Sequence, residues 1–387
     1  MEQFALDLSI IIVGSAVLSL GAVFLKQPII IAYILCGVLI GPWGLGWIRH
    51  VESIEMISRL GVTLLLFLAG LCLHPQKLLR LFRKTIFITA ANCAASFLTA
   101  FLIARVFRFS AMDALCIGLA FMFSSTILVV KLLPTTRLHH ERMGAICIGV
   151  LIIQDLLAIV VLAWIRCLGA AQGVFLSFAF LTIKLCLFIG VLILVEQYVL
   201  RRVMGYVDRL HEIIFILGLA WCFGIAGIAN RMGLFYETGA FFAGVVMARH
   251  PIALFISERL KPLRDFFLVL FFFTLGAKLD FLVLRGIWLP SLALTLVFVL
   301  AKPWLFQRLL MMAGEERAFA QETGTRLGQL SEFSLLIAVL AFNLGHISHT
   351  VSQLIQAVTM LTFIISSYIV VLNYQTPIGV SEKLIKD

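Results

Sequence analysis

Asp155 stands in an apolar run, Gly149-Val-Leu-Ile-Ile-Gln154-Asp155-Leu-Leu-Ala-Ile-Val, with no other charged side chain from Gly144 to Ile165. Lys302 stands in another, Leu300-Ala301-Lys302-Pro303-Trp304. At the centre of a membrane helix either charge costs about 2.5–3.5 kcal/mol on insertion scales, so each needs a partner or a purpose. For Asp155 the choice is between a carboxyl bonded to a neighbouring helix and one that binds a cation or a proton. Lys302 either snorkels to an interface along its stem or stays buried, where pairing with Asp155 is the cheapest arrangement. Pro303 removes a backbone donor and frees a carbonyl one turn earlier, a second polar partner for Lys302.

Two further segments interrupt apolar runs with polar residues: Phe123-Ser124-Ser125-Thr126 and Gly328-Gln329-Leu330-Ser331-Glu332-Phe333. In a continuous helix such hydroxyls bond back to a carbonyl one turn earlier. In a broken helix, the freed carbonyls and half-helix ends surround an ion. Glu332 is then a second acid within the membrane, either proton-sensitive or a structural partner. Glu237, at the outer end of a span, reads as solvated or paired.

The elements that must hold these groups follow from composition. The chain has 387 residues, 62% hydrophobic and 13% charged, with a mean hydropathy of +1.10. A water-soluble chain carries about 25% charged residues, so the main solvent is lipid. Apolar stretches long enough to cross a bilayer recur from end to end, giving an all-α polytopic membrane protein. Thirteen spans are expected, near residues 5–25, 28–47, 54–73, 84–107, 111–133, 144–168, 172–199, 211–229, 232–249, 263–282, 287–311, 323–345 and 352–373. Of the 30 Lys and Arg, 20 fall on the side of the C-terminus, 8 on the other, and Lys184 and Lys302 within spans. The positive-inside rule puts the C-terminus in the cytoplasm and the N-terminus outside.

The net charge of +10 does not indicate nucleic acid, because the basic residues sit in loops at membrane ends. The eight cysteines are scattered singly and read as small buried hydrophobes rather than metal ligands. The first apolar segment starts with Glu2 and Asp7 and has no cleavage-like site, so it reads as a span and not a removed signal.

At an offset of 206 to 207 residues, features recur in order. Tyr33-Ile-Leu-Cys-Gly37-Val-Leu-Ile matches Ala240-Phe-Phe-Ala-Gly244-Val-Val-Met, Phe67-x-x-Gly70-x-x-Leu73 matches Phe273-x-x-Gly276-x-x-Leu279, and Ser124 matches Ser331. The copies are seven spans apart, an odd number, so the second lies upside down. Two inverted repeats around a central site are a common transporter plan.

Six motifs then carry a family resemblance: Ile40-Gly41-Pro42-Trp43-Gly44-Leu45, Leu66-Phe67-Leu68-Ala69-Gly70-Leu71, Ser124-Ser125-Thr126, Gln154-Asp155, Gly239-Ala240-Phe241-x-Ala243-Gly244 and Leu327-Gly328-Gln329-x-Ser331-Glu332-Phe333. From about residue 10 to 375 the chain resembles the membrane domain of Kef-type potassium:proton antiporters. The resemblance implies an NhaA-like fold with crossed broken helices. It implies a dimerisation scaffold (1–83 and 200–285), a mobile core (84–168 and 286–375), a linker helix (169–199) and a short cytoplasmic tail (376–387). On that likeness Asp155 binds K⁺ or Na⁺ and the proton, Gln154 is its neutral neighbour and Lys302 is the core lysine. Ser124, Ser125, Thr126, Gln329 and Ser331 lie at the crossover. A homodimer in a bacterial inner membrane, and a separate cytoplasmic regulatory subunit, are implied too. No cofactor beyond the transported ions is expected. The chain departs from the family where Gly70-Leu71-Cys72-Leu73-His74 lacks two acids, in the link from His250 to Leu263, and in ending without a nucleotide-binding domain.

The activity expected is secondary exchange of a monovalent cation, K⁺ first, for protons by alternating access. The alternatives are Na⁺:H⁺ exchange and a cation channel on the same scaffold; no TVGYG-like filter favours a channel. An intramembrane enzyme has little support: Ser331-Glu332 and His346-x-x-His349 form no nucleophile–base or HExxH pattern.

Overall fold

The computed structural model describes residues 2–25, 27, 29–48, 51–71, 75–133, 142–168, 174–203, 211–234, 236–248, 250 and 252–376. Every regular element described is helical. In chain order these are α1 (Glu2–Phe24), α2 (Ile29–Ile40), α3 (Glu52–Leu71), α4 (Pro75–Val106), α5 (Ala111–Ala120), α6 (Thr126–Leu132), α7 (Arg142–Cys167) and α8 (Val174–Val195), which runs on as a π turn, Glu196–Leu200. Then follow α9 (His211–Arg231), α10 (Tyr236–Met247), α11 (Ala253–Ala277), α12 (Phe281–Met312), α13 (Arg317–Arg326), α14 (Glu332–Asn343) and α15 (His349–Asn373). Among the described residues, seven helices are long and apolar enough to cross a membrane, and α2, α5 and α14 are shorter apolar helices.

The spans expected at 111–133 and 323–345 are each broken at their polar interruptions, as the broken-helix reading expected, the first into α5 and α6 and the second into α13 and α14. Several boundaries depart from the expected spans. Helix α4 starts at Pro75, well before the expected 84, because proline suits a first helical position, whose N–H has no partner in any case. Helix α11 starts at Ala253 and takes in most of the link expected at 250–263, carrying Pro262 within it. Helix α2 stops at Ile40, short of the expected 47, where Pro42 disfavours helical geometry at Gly41. Cys72 to His74 and residues 377–387 lie outside the described residues.

The helices pack in two groups. Helices α1, α2, α3, α9, α10 and α11 contact one another, as do α4 to α7 and α12 to α15, while α8 touches α7 on one side and α10 on the other. Apolar side chains fill the seam between the groups, with Val62, Leu66 and Phe241 among those of the second group, and Ile30, Ile34 and Phe272 beside Leu128 and Phe363. Glycines set the closest approaches in the first group. A Cβ on Gly37 would fall 1.9 Å from the Phe273 carbonyl oxygen, and one on Gly244 would fall 2.1 Å from that of Phe67. So α2 lies on α11 as α10 lies on α3.

The outer surface is apolar: Phe24, Val17, Ile216 and Leu300 are all more than half exposed. The interior instead holds polar groups, including Gln154, Asp155, Lys302, Arg326, Gln329 and Glu332. This is the distribution of a protein solvated by lipid. Six of the seven described cysteines are buried, as small hydrophobes should be, whereas Cys186 on α8 is exposed, against that expectation. It faces outward on a helix whose other outward positions, Ile183 and Leu187, are also exposed.

Candidate cation site at two helix breaks

Residues 121–125 and 327–331 are not helical, and the two breaks lie against each other. The Phe123 and Phe333 rings meet edge to face at 6.4 Å, and Ser334 Oγ donates to the Ala120 carbonyl at 2.5 Å. Each break leaves carbonyls free at the end of one half-helix and N–H groups free at the start of the next. Hydroxyls meet part of that need. Ser125 caps α6 by accepting from the Leu128 amide at 3.2 Å, and Ser331 caps α14 by accepting from the Phe333 amide at 3.2 Å. These serines do not bond back as they would in a continuous helix.

Helix α7 supplies the next two groups. Gln154 Oε1 accepts from the Ser124 backbone N–H at 2.9 Å. Asp155 is 2% exposed, and Thr126 Oγ1, the first residue of α6, lies 3.4 Å from both of its carboxyl oxygens. Glu332 opens α14 and is also 2% exposed, with Ser331 Oγ at 3.5 Å and the start of α6, at Ser125 and Ile127, beside it. The two carboxyls are close enough to interact electrostatically. Both acids therefore sit where helix N-termini converge, the end of a helix that favours negative charge.

Lys302 occupies the opposite kind of position. It is 2% exposed, which excludes snorkelling. Its Nζ donates to the Phe123 carbonyl and, at 3.3 Å, to the Gln329 carbonyl, one from each break. The expected pairing with Asp155 is not what holds it: the ammonium is bound to backbone acceptors, while Asp155 takes a hydroxyl. The breaks themselves provide the buried negative dipoles that an ammonium needs, so the carboxylate is left to other chemistry.

All nine residues singled out in the sequence (Ser124, Ser125, Thr126, Gln154, Asp155, Lys302, Gln329, Ser331 and Glu332) converge here. Ser124 contributes its backbone amide, while its hydroxyl has no partner among the described residues. Gln329 spans the breaks, donating from Nε2 to the Ser125 carbonyl at 3.4 Å. Glu237 lies in the first turn of α10, away from this cluster, half-buried. His346 bonds the Ile165 carbonyl at 3.2 Å and His349 packs on Phe342, so neither reaches the breaks.

Residues 8–372 match the family described as sodium/hydrogen exchanger, transmembrane. The chain belongs to this exchanger family. The exchanger is 31% identical over 348 residues to the glutathione-regulated potassium-efflux system protein KefC of Cronobacter sakazakii, covering 87% of this chain and 55% of that protein. The chain thus spans about half the length of its KefC relatives. It is 29% identical over 352 residues to the iron transporter MagA of Paramagnetospirillum magneticum, covering 89% of this chain and 80% of MagA. The fold matches that of the sodium proton antiporter MjNhaP1 from Methanocaldococcus jannaschii with a TM-score of 0.71, at 17% identity and 95% coverage of both chains. The exchanger is accordingly a membrane ion transporter of the cation:proton antiporter class, with a Kef-type membrane domain.

Two groups of the exchanger's interior escaped the sequence reading. Cys93 on α4 accepts from Gln154 Nε2 at 3.9 Å and donates to the Met122 carbonyl at 3.5 Å, so a thiol fixes which way the Gln154 amide points. Arg326, 2% exposed at the end of α13, donates to the Leu132 carbonyl at 2.8 Å, to the Gln375 carbonyl at 2.8 Å and to Glu322. Arg326 reads in sequence as an interfacial charge, because it follows the polar α13 segment. Its place next to Gly328-Gln329 was the available signal.

Proposed function

We propose that the exchanger moves a monovalent cation, with K⁺ as first candidate, against protons by alternating access around Asp155. One observation carries this reading: a buried carboxyl, not tied to a basic side chain, sits where two broken helices present their N-terminal ends. A proton and a dehydrated cation cannot occupy that carboxylate together, so loading one expels the other. If only a loaded core crosses between sides, downhill flow of one ion drives the other uphill, and one carboxylate makes one-for-one exchange the simplest stoichiometry. Lys302 neutralises the carbonyl ends of the breaks, Gln154 pins the first break, and Ser124, Ser125, Thr126, Gln329, Ser331 and Glu332 shape the surroundings of the ion. A pair of carboxyls close together also gives Glu332 a way to tune occupancy of Asp155.

In this reading the chain crosses the membrane thirteen times, with α5–α6 and α13–α14 each counted as one broken crossing, and two inverted repeats supply the pairs. The matching glycine contacts of α2 on α11 and α10 on α3 favour such symmetry. The first helix group serves as the scaffold and dimerisation domain, the second as the mobile core, and α8 as linker. The seam between the groups is mainly apolar, which suits sliding. The Arg166 bond to the Gly233 carbonyl at 3.0 Å and the Gln353 bond to the Lys278 carbonyl at 3.2 Å cross it and would break in the movement. The N-terminus lies outside and the C-terminus in the cytoplasm of a bacterial inner membrane. A separate cytoplasmic subunit regulating flux is proposed from the Kef likeness alone.

The test is proton-coupled flux in proteoliposomes of purified protein, against K⁺, Na⁺ and other monovalent cations, with Fe²⁺ added because a relative carries the name iron transporter. Asp155→Asn is expected to abolish coupled flux; retained coupling refutes the assignment. Preference for Na⁺ selects Na⁺:H⁺ exchange, and voltage-driven current without proton coupling selects a channel.

A further inference from the structure

Between α6, the end of α13 and α15 lies a cavity of about 10 Å³, close to the room that one water needs. Leu128 and Leu132 of α6, Arg326, Gln329, and Ser366 and Ser367 of α15 line it. Ser367 is 1% exposed, and its hydroxyl has no partner among the described residues. A buried hydroxyl without a bond costs about 1–3 kcal/mol, so such a group marks a site for a small polar ligand. Arg326 Nη1 carries two N–H groups and spends one on the Leu132 carbonyl, which leaves one for a ligand. A water in contact with Ser367, Arg326 and the Gln329 amide would have the two to four partners that ordered internal waters have.

Gln329 is the group this cavity supports. Its Oε1 accepts from Ser366 Oγ at 3.2 Å, its Nε2 reaches the Ser125 carbonyl at 3.4 Å, and its own carbonyl takes Lys302. The amide therefore links α15 to the break that faces Asp155. An amide can point two ways, and what fixes the direction is the hydroxyl donating to its oxygen.

We propose that the cavity binds one water, and that Ser366 directly and Ser367 through that water are positioning residues that hold the Gln329 amide against Ser125. The inference rests on Asp155 being the cation site. The spacing of the Ser125 carbonyl from Asp155 then depends on two serines that never touch the ion.

Kinetics and footprinting test it together. In proteoliposomes, with the cation that the flux panel identifies, Ser366→Ala is expected to raise the apparent KM about tenfold, the loss of roughly one good hydrogen bond, with Vmax little changed. Ser366→Thr, which keeps the hydroxyl, should restore it. Ser367→Val, which fills the cavity, should shift KM in the same direction. Hydroxyl-radical footprinting of the unaltered protein in nanodiscs should place oxygen on Leu128 or Leu132, buried side chains that are labelled only where water sits against them. Unchanged KM in both Ser366→Ala and Ser367→Val, or Leu128 and Leu132 both unlabelled, overturns the proposal. Footprinting decides alone should the variants fail to fold. Coupled flux retained by Asp155→Asn would instead sink the cation-site reading, with the water still read by footprinting.

Discussion

The side-chain oxygen of Gln154 lies 2.9 Å from the backbone nitrogen of Ser124, a donor left free where α5 has stopped. The glutamine does for the break what the preceding turn does inside a helix. Cys93 holds the other end of the amide, so the oxygen stays turned toward Ser124.

That bond sets the first prediction. Gln154→Leu keeps the volume but leaves a buried amide without an acceptor, a cost of about 1–3 kcal/mol. The variant should melt at lower temperature in detergent and transport more slowly. Unchanged melting would mean that another group serves Ser124.

Lys302 gives the second. Its two carbonyl partners lose a charged donor in Lys302→Met, and hydrogen bonds to charged groups are worth about 1.5–3 kcal/mol. Asp155→Asn leaves both bonds in place, so its thermal stability should stay near that of the unaltered protein. Equal destabilisation by the two substitutions would show that the ammonium depends on the carboxylate after all.

Glycine contacts provide the third. Gly37→Ala and Gly244→Ala each force a methyl onto a backbone oxygen about 2 Å away, which neither helix can yield without separating. Both should destabilise by about 1–3 kcal/mol, the usual cost of overpacking. Gly286→Ala on α12 meets nothing within 4 Å and removes a helix-weakening glycine, so it should be neutral or stabilising by up to about 1 kcal/mol. Comparative melting in one detergent reads all three.

A fourth concerns Arg326. Its guanidinium serves the Leu132 carbonyl, the Gln375 carbonyl and Glu322 at once, a fork that an ammonium cannot copy. Arg326→Lys should therefore destabilise by about 1–3 kcal/mol and Arg326→Met by more, because one ammonium cannot serve both the Leu132 and the Gln375 carbonyls and a methionine serves neither. Limited proteolysis after α15 should quicken in both. A lysine variant as stable and resistant as the unaltered protein would remove the argument.

Much was legible without coordinates. The charges at 155, 302 and 332 stood out because lipid makes them expensive, and the polar interruptions stood out against apolar runs. The repeat of glycines at 37 and 244 followed from spacing alone, since close helix approach excludes side chains. Less legible was where helices start. Spans were expected to begin at 84 and 263, yet α4 begins at Pro75 and α11 at Ala253, with Pro262 inside it. Exposure of Cys186 also depended on which way a uniformly apolar helix turned, and apolar sequence carries no signal of that.

The amino-acid sequence by itself determined that this chain lives in lipid, is built of helices, and keeps a few ionisable groups inside. Those facts follow from transfer energies, which depend on residue type and not on arrangement. Tertiary structure alone decided the partners. Lys302 chose carbonyls over Asp155, Gln154 chose the Ser124 amide, and Arg326 was drawn inside, because free backbone groups at a helix break exist only once the chain has folded and brought the two breaks together.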